Sequence, residues 1–218
     1  PLISQFHSEN NVSKMKDTYK LVSRWLLVFS LPVSIMLFVF PENILSLFGD
    51  EYLVSKNVLV VLTASTLIQA FFGAASPTLG MSGFSKLVLV NTAIAFILNF
   101  VLNYYLIPLY GITGAAYATL ITMTLIGLLR SIQVRFYLKM NFLSLKMMKP
   151  LVSGLMTYLI LRQTKNYFED FHFFIELLIG CFSCLIIYSL IIWAMKIEEE
   201  DKSFISGFGI IRKGLKIK

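Results

Sequence analysis

Between Lys86 and Arg130 the chain runs for forty-three residues without a charged side chain. One short break, Ile107-Pro108-Leu109-Tyr110-Gly111-Ile112-Thr113-Gly114, divides the run. Each half is about twenty residues, the length an α-helix needs to cross ~30 Å of hydrocarbon at ~1.5 Å per residue. A water-soluble domain needs surface charge at much shorter intervals, and the break is too short to hold a domain. The run therefore predicts two membrane-spanning helices joined by a tight turn. The expected fold class is all-α, a polytopic membrane helical bundle.

Composition agrees. Charged residues make up 14% of the chain, against ~25% in average soluble domains, and the mean hydropathy is +0.76. The net charge of +7 is no nucleic-acid signal, because the basic residues gather at the ends of apolar runs, as in loops that face anionic lipid and cytoplasm. The chain opens at Pro1 without a basic-then-apolar leader. It reads as the C-terminal part of a longer protein. Cys181 and Cys184 lie inside an apolar run and imply no disulfide framework.

Six apolar segments are expected to span the membrane: residues 25–41, 57–79, 87–107, 112–129, 147–164 and 177–195. Residues 1–24 form a lead-in and 196–218 a basic tail. The fifth segment has only eleven uninterrupted apolar residues and must borrow neighbours, with Lys149 and Arg162 snorkelling; the alternative is an interfacial helix. With both ends in the cytoplasm, sixteen of the nineteen basic residues lie inside, and only Lys56, Arg162 and Lys165 fall outside. Trp25 and Trp193 would anchor the inner interface, and Tyr104, Tyr105 and Tyr110 the outer turn. Pro32 and Pro77 each remove a backbone N–H within a span and are expected to act as kinks or hinges. In the tail, Phe204, Phe208, Ile211 and Leu215 follow helical spacing beside Arg212, Lys213, Lys216 and Lys218, the pattern of a helix lying on the inner surface.

No catalytic set emerges. His7 and His172 lie in flanks on opposite sides. No carboxylate pair sits at membrane depth, and no glycine-rich phosphate loop follows a strand. Cys181-Phe182-Ser183-Cys184 has redox spacing, but a thiolate needs water or a helix start, so helix packing is the expected role. Neither cofactor nor metal is expected. The polar residues of the spans carry more information. Asn91, Asn99 and Asn103 fall within about a third of the third helix's circumference. They suit either interhelix hydrogen bonds or a wet cavity wall. Gln69, with Thr63, Ser65 and Thr66, gives the second span a milder polar content. Arg24 is either a snorkelling edge residue or a contact for an anionic lipid head group. Glu176, at the outer end of the last span, reads as an edge carboxylate before a proton or ion site.

The residues also resemble a family. Leu102-Asn103-Tyr104-Tyr105-Leu106-Ile107-Pro108-Leu109-Tyr110-Gly111-Ile112-Thr113-Gly114-Ala115-Ala116-Tyr117-Ala118-Thr119 is similar to the "LN-x-x-LIP-x-x-G-x-x-GAA-x-AT" signature of polysaccharide-export flippases, a branch of the multidrug/oligosaccharidyl-lipid/polysaccharide (MOP) superfamily. Asn103, Pro108, Gly111 and Gly114 mark its turn. Leu31-Pro32 with Ile44-Leu45-Ser46-Leu47-Phe48-Gly49-Asp50-Glu51-Tyr52 resembles the "LP…LFG-x-x-Y" stretch, and Pro1-Leu2-Ile3-Ser4 the segment before it. The three matches keep the family's order over roughly residues 1–129. The resemblance implies the last six helices of a fourteen-helix transporter that moves polyprenyl-pyrophosphate-linked glycans, such as O-antigen precursors, by alternating access. Its partners would be the lipid-linked oligosaccharide, membrane lipids and the missing N-terminal half. Drug/cation antiporters share the fold and stay open. From other classes, a polyprenyl-phosphate glycosyltransferase would need acidic residues for metal–diphosphate chemistry, for which only Asp50-Glu51, Glu169-Asp170 and the tail run are available. A membrane scaffold would leave Asn99 and Asn103 buried against other helices.

Overall fold

The computed structural model describes residues 12–140, 145–165 and 173–194. Among them every regular element is helical. The α-helices are α1 (Val12–Val39), α2 (Pro41–Ser46), α3 (Lys56–Phe72), α4 (Ala75–Met81), α5 (Ser85–Tyr110), α6 (Ile112–Leu138), α7 (Leu145–Thr164) and α8 (Phe173–Ala194). A 3₁₀ turn, Asp50–Ser55, leads into α3. Five stretches are long and apolar enough to cross a membrane: Lys14–Val39, Asp50–Met81, Ser85–Tyr110, Ile112–Leu138 and Phe174–Ala194. With twenty residues α7 has the length, but Lys146, Lys149, Pro150 and Arg162 dilute its apolar run. The surface confirms the solvent. Phe96 is 73% exposed, and Leu89, Phe100 and Leu109 on the same helix are exposed too. A protein in water does not leave so continuous an apolar face open. The chain is a multi-pass membrane protein.

The helix α1 is the spine of the bundle. Met15, Tyr19, Ser23, Leu27, Leu31, Ile35 and Val39 recur every four residues, and all are buried. Four residues turn a helix by about 400°, so this stripe drifts by ~40° at each step. Its two ends consequently face different neighbours. Met15 and Tyr19 join Ala74, Ala75, Leu79, Val134, Leu138 and Met140 in one apolar cluster. Leu27, Leu31, Ile35, Val39 and Phe40 join Met147, Leu161, Cys184 and Tyr188 in another. The lead-in therefore is helical from Val12, well before the apolar run begins at Trp25, because its buried stripe starts at Met15.

The most extensive contact joins α3 to α6, followed by α5 to α6, α1 to α3 and α1 to α7. Close approach rests on glycine. A Cβ on Gly127 of α6 would lie 2.4 Å from the Phe72 ring. On Gly154 of α7 it would lie 2.9 Å from Leu31, and on Gly180 of α8 it would lie 2.7 Å from Phe40. Small residues at such crossings let helix backbones approach where lipid offers no hydrophobic drive to associate.

The second span is broken. α3 ends at Phe72 and α4 begins at Ala75. Pro77 explains the position, since it has no N–H for the Gly73 carbonyl four residues earlier and its ring crowds that carbonyl. The Gly73 N–H turns back to Ala70 O at 3.3 Å instead, and regular bonding resumes at Thr78 N–H to Ala74 O, 3.2 Å. The helix α1 runs unbroken through Pro32. Cys184 Sγ–H donates to the Pro32 carbonyl at 3.6 Å, and both cysteines are free thiols. His7, His172, Pro1-Leu2-Ile3-Ser4 and the helix expected in the tail lie outside the described residues.

Candidate functional site

The α5–α6 hairpin is set by its turn. Gly111 adopts φ +58°, ψ −139°, a conformation only glycine reaches without strain. Its N–H closes α5 on Ile107 O at 2.8 Å. Gly114 lies so close to the end of α5 that a Cβ would meet Leu106 O at 2.1 Å. Pro108 sits in the last turn of α5. The turn thus fixes the pairing of the two helices: residues at equal distances before and after Gly111 face each other.

That register aligns a polar seam. Asn91 is only 1% exposed and pairs with Gln133 through two amide hydrogen bonds, Asn91 Nδ2 to Gln133 Oε1 at 2.6 Å and Gln133 Nε2 to Asn91 Oδ1 at 3.0 Å. Two turns further along α5, Asn99 Nδ2 donates to Thr122 Oγ1 at 3.5 Å. Asn103 Nδ2 donates to both Asn99 O and Asn99 Oδ1 at 2.9 Å. Asn103 Oδ1 is buried and has no partner among the described residues. Arg130, one turn before Gln133, likewise buries its Nε without an acceptor. Most other hydroxyls in the spans are satisfied within their own helix. Thr63 bonds Leu59 O at 2.7 Å, Ser65 bonds Val61 O at 2.9 Å and Thr124 bonds Leu120 O at 2.7 Å. The seam differs because Asn91 and Asn99 bond across to α6, and Asn103 beside them keeps an unpaired acceptor among the described residues.

Asn91 and Asn99 thus bond across to α6, while Asn103 bonds back to Asn99 on its own helix; Asn99 and Asn103 are half-buried. Gln69 is exposed on α3, away from that seam's hydrogen bonds. Arg24 is 6% exposed, buried with Ser23 at the point of α1 between the two apolar clusters. Gln133, Thr122 and Arg130 did not stand out in the sequence. The signal that finds the first two is the hairpin register: Asn91 and Gln133 lie twenty and twenty-two residues from Gly111, and Asn99 and Thr122 lie twelve and eleven.

A second polar group sits at the opposite end of α1, around α2. Glu42 pairs with Lys56 and, at 3.6 Å, with Lys165. Asn43 Nδ2 donates to Glu176 Oε2 at 2.5 Å, and Glu176 is 6% exposed. The Lys165 ammonium also lies 5.9 Å from the Phe40 ring centre. Burial by itself would raise the Glu42 carboxyl. The hydrogen bond from Lys56, a backbone hydrogen bond and the charges of Lys165 and Lys56 outweigh it and hold the group below its ordinary value. The group ties α2 to the start of α3, the end of α7 and the start of α8. Among the described residues no cluster of His, Cys, Asp or Glu could hold a metal ion.

The described residues thus form a helical membrane bundle with a polar interhelix seam and a proline-broken span. Comparison with known proteins agrees. Residues 1–105 match the MatE family model. The chain is 24% identical over 192 residues to the probable low-salt glycan biosynthesis flippase Agl15 of Haloferax volcanii, covering 88% of this chain and 40% of that protein. Its fold matches the lipid II flippase MurJ in an inward closed conformation, with a TM-score of 0.65 and 21% identity over 88% of this chain and 42% of MurJ. The chain spans about two fifths of the length of these proteins. All three fall within the MOP superfamily, so the resemblance read from the residues holds at that level.

Proposed function

We propose that the chain is the C-terminal portion of a flippase that carries a lipid-linked glycan precursor across the cytoplasmic membrane by alternating access. The observation that carries the reading is the alignment with Agl15, which runs through 88% of the chain. The hairpin signature around Pro108, Gly111 and Gly114 adds to it, as does the MurJ-like fold. In this reading the protein is a transporter and not an enzyme, and its partners are the lipid-linked oligosaccharide, the surrounding lipids and an N-terminal half. The chain would supply six spans, α7 included, with both ends cytoplasmic. The paired charges support that orientation. Lys56 and Lys165, two of the three basic residues left outside, share Glu42 as counter-charge. The seam residues Asn99 and Asn103 are the substrate-side candidates, since the buried Asn103 Oδ1 keeps an unused acceptor that a sugar hydroxyl or water can engage when the seam opens. Asn91, held in its reciprocal pair, sets the register. Gln69 and Arg24 remain candidate contacts at the cavity and at the head group, and Pro32 and Pro77 candidate hinges.

The match to the MatE model favours a second reading, a drug/cation antiporter of the same fold. One experiment separates the two. The chain, joined to a matching N-terminal half, is expressed in a host lacking its glycan flippase and scored for glycan export and for resistance to cationic drugs. Restored export that Asn103→Leu reduces is the expected result. Drug resistance without export would select the antiporter.

A further inference from the structure

The connector between α1 and α3 carries exposed apolar surface. Its first part faces the bundle. Glu42 reaches Lys56 and Lys165, and Asn43 reaches Glu176. These groups sit at the ends of four helices. Charges gathered at several helix ends mark the level at which hydrocarbon gives way to head groups and water. Directly after them the chain presents Leu47, Phe48, Tyr52, Leu53 and Val54 outward, with Phe48 71% and Val54 90% exposed. The Phe48 and Tyr52 rings meet edge to face at 6.4 Å. Gly49, at φ +126°, provides the joint between α2 and the 3₁₀ turn. Each of those pieces has six residues, too few to cross a bilayer. Asp50 and Glu51 are exposed among the apolar side chains.

We propose that residues 47–54 are an interfacial anchor, seated in the boundary between head groups and acyl chains of the leaflet on that side. A covering protein surface would have to bury Asp50 and Glu51 along with the apolar residues, which is costly without dedicated partners. The bilayer boundary accepts both within one thin layer, apolar and aromatic groups downward and carboxylates toward water. The anchor fixes the depth of the adjoining ends of α1 and α3, and through Glu42 and Asn43 also of α7 and α8. It depends neither on the glycan reading nor on which side of the membrane is outside.

The test uses the membrane-inserted chain with Cys181→Ala and Cys184→Ala. Nitroxide labels are placed on single cysteines at Phe48 and Val54, with Glu51 as the water reference. Labels seated at the boundary collide more with oxygen, relative to a water-soluble nickel complex, than the Glu51 label does, because apolar side chains there sit in the acyl boundary. A nickel preference at Phe48 and Val54 equal to that at Glu51 would make this an ordinary aqueous loop and overturn the anchor. Low collision with both reagents would mean protein covers the segment, and would overturn it too. A photoreactive benzophenone side chain at position 48, in the otherwise natural chain, checks the result without the cysteine changes. Cross-linking to lipid is expected, and cross-linking to protein or to nothing contradicts the proposal.

Discussion

At the scale of single residues, the asparagines of α5 are the polar groups that hydrocarbon makes most consequential. Sequence spacing put Asn91, Asn99 and Asn103 on one side of a helix, and that much was legible because spacing on a helix is fixed by its pitch. Their partners were not legible from the periodicity of α5 alone. Gln133 lies beyond Leu129, where the apolar run stops but the helix continues to Leu138. The reciprocal Asn91–Gln133 pair predicts a coupling of about 0.6–2 kcal/mol in a double-mutant cycle of Asn91→Leu and Gln133→Leu, read from unfolding in detergent. Asn99→Leu and Asn103→Leu are expected to reduce transport by the joined protein more than they reduce its membrane-inserted yield. Equal losses of both would place the two residues in packing alone. Glycine gives a sharper contrast. Gly114→Ala drives a Cβ into the backbone of α5 and should cost at least about 2 kcal/mol. Gly80→Ala, whose Cβ meets only Val88 at 4.0 Å, should be close to neutral; the same denaturation series compares the two.

At the scale of elements, the α5–α6 hairpin was readable because two independent signals coincide, the missing charge and the proline-glycine turn. Other elements gave no such signal. The first two and a half turns of α1, through Lys14, Lys16, Asp17 and Lys20, look like a polar lead-in, since hydropathy averages over the buried face of Met15 and Tyr19. The six-residue helix α2 is too short for periodicity. The second span reads as one segment with a kink at Pro77, and the interruption falls one turn earlier, at Gly73 and Ala74. What α2 does appeared only once tertiary contacts were known: it gathers Lys56, Lys165 and Glu176. Because the Glu42 carboxyl is held below its ordinary value, its tie contributes stability above the unfolded carboxylate value of ~4.3. That contribution is lost as pH falls through the lower folded value. Thermal unfolding of the purified chain should therefore show an acid-sensitive component below that range. Glu42→Gln should lower Tm at neutral pH and remove that component. An unchanged acid profile in the variant would assign the sensitivity to another group.

At the scale of the whole molecule, α1 joins two blocks, one of α4, α5 and α6 around its start and one of α7 and α8 around its end. The proposed orientation makes a direct prediction. Single cysteines at Glu51 and Lys165 should label from outside intact cells, and one at Lys139 should not. Labelling at Lys139 would invert or break the six-span arrangement, and the weakly apolar α7 is the element most exposed to that outcome. The decisive measurement is export of a lipid-linked glycan in a flippase-deleted host, with the 218 residues supplied alone and joined to a matching N-terminal half. Two units are needed to rock about a shared site. The joined protein is therefore expected to restore export, and the chain alone to insert in the membrane without restoring it. Rescue by the chain alone would contradict that expectation, as would a joined protein that inserts and folds but moves no glycan.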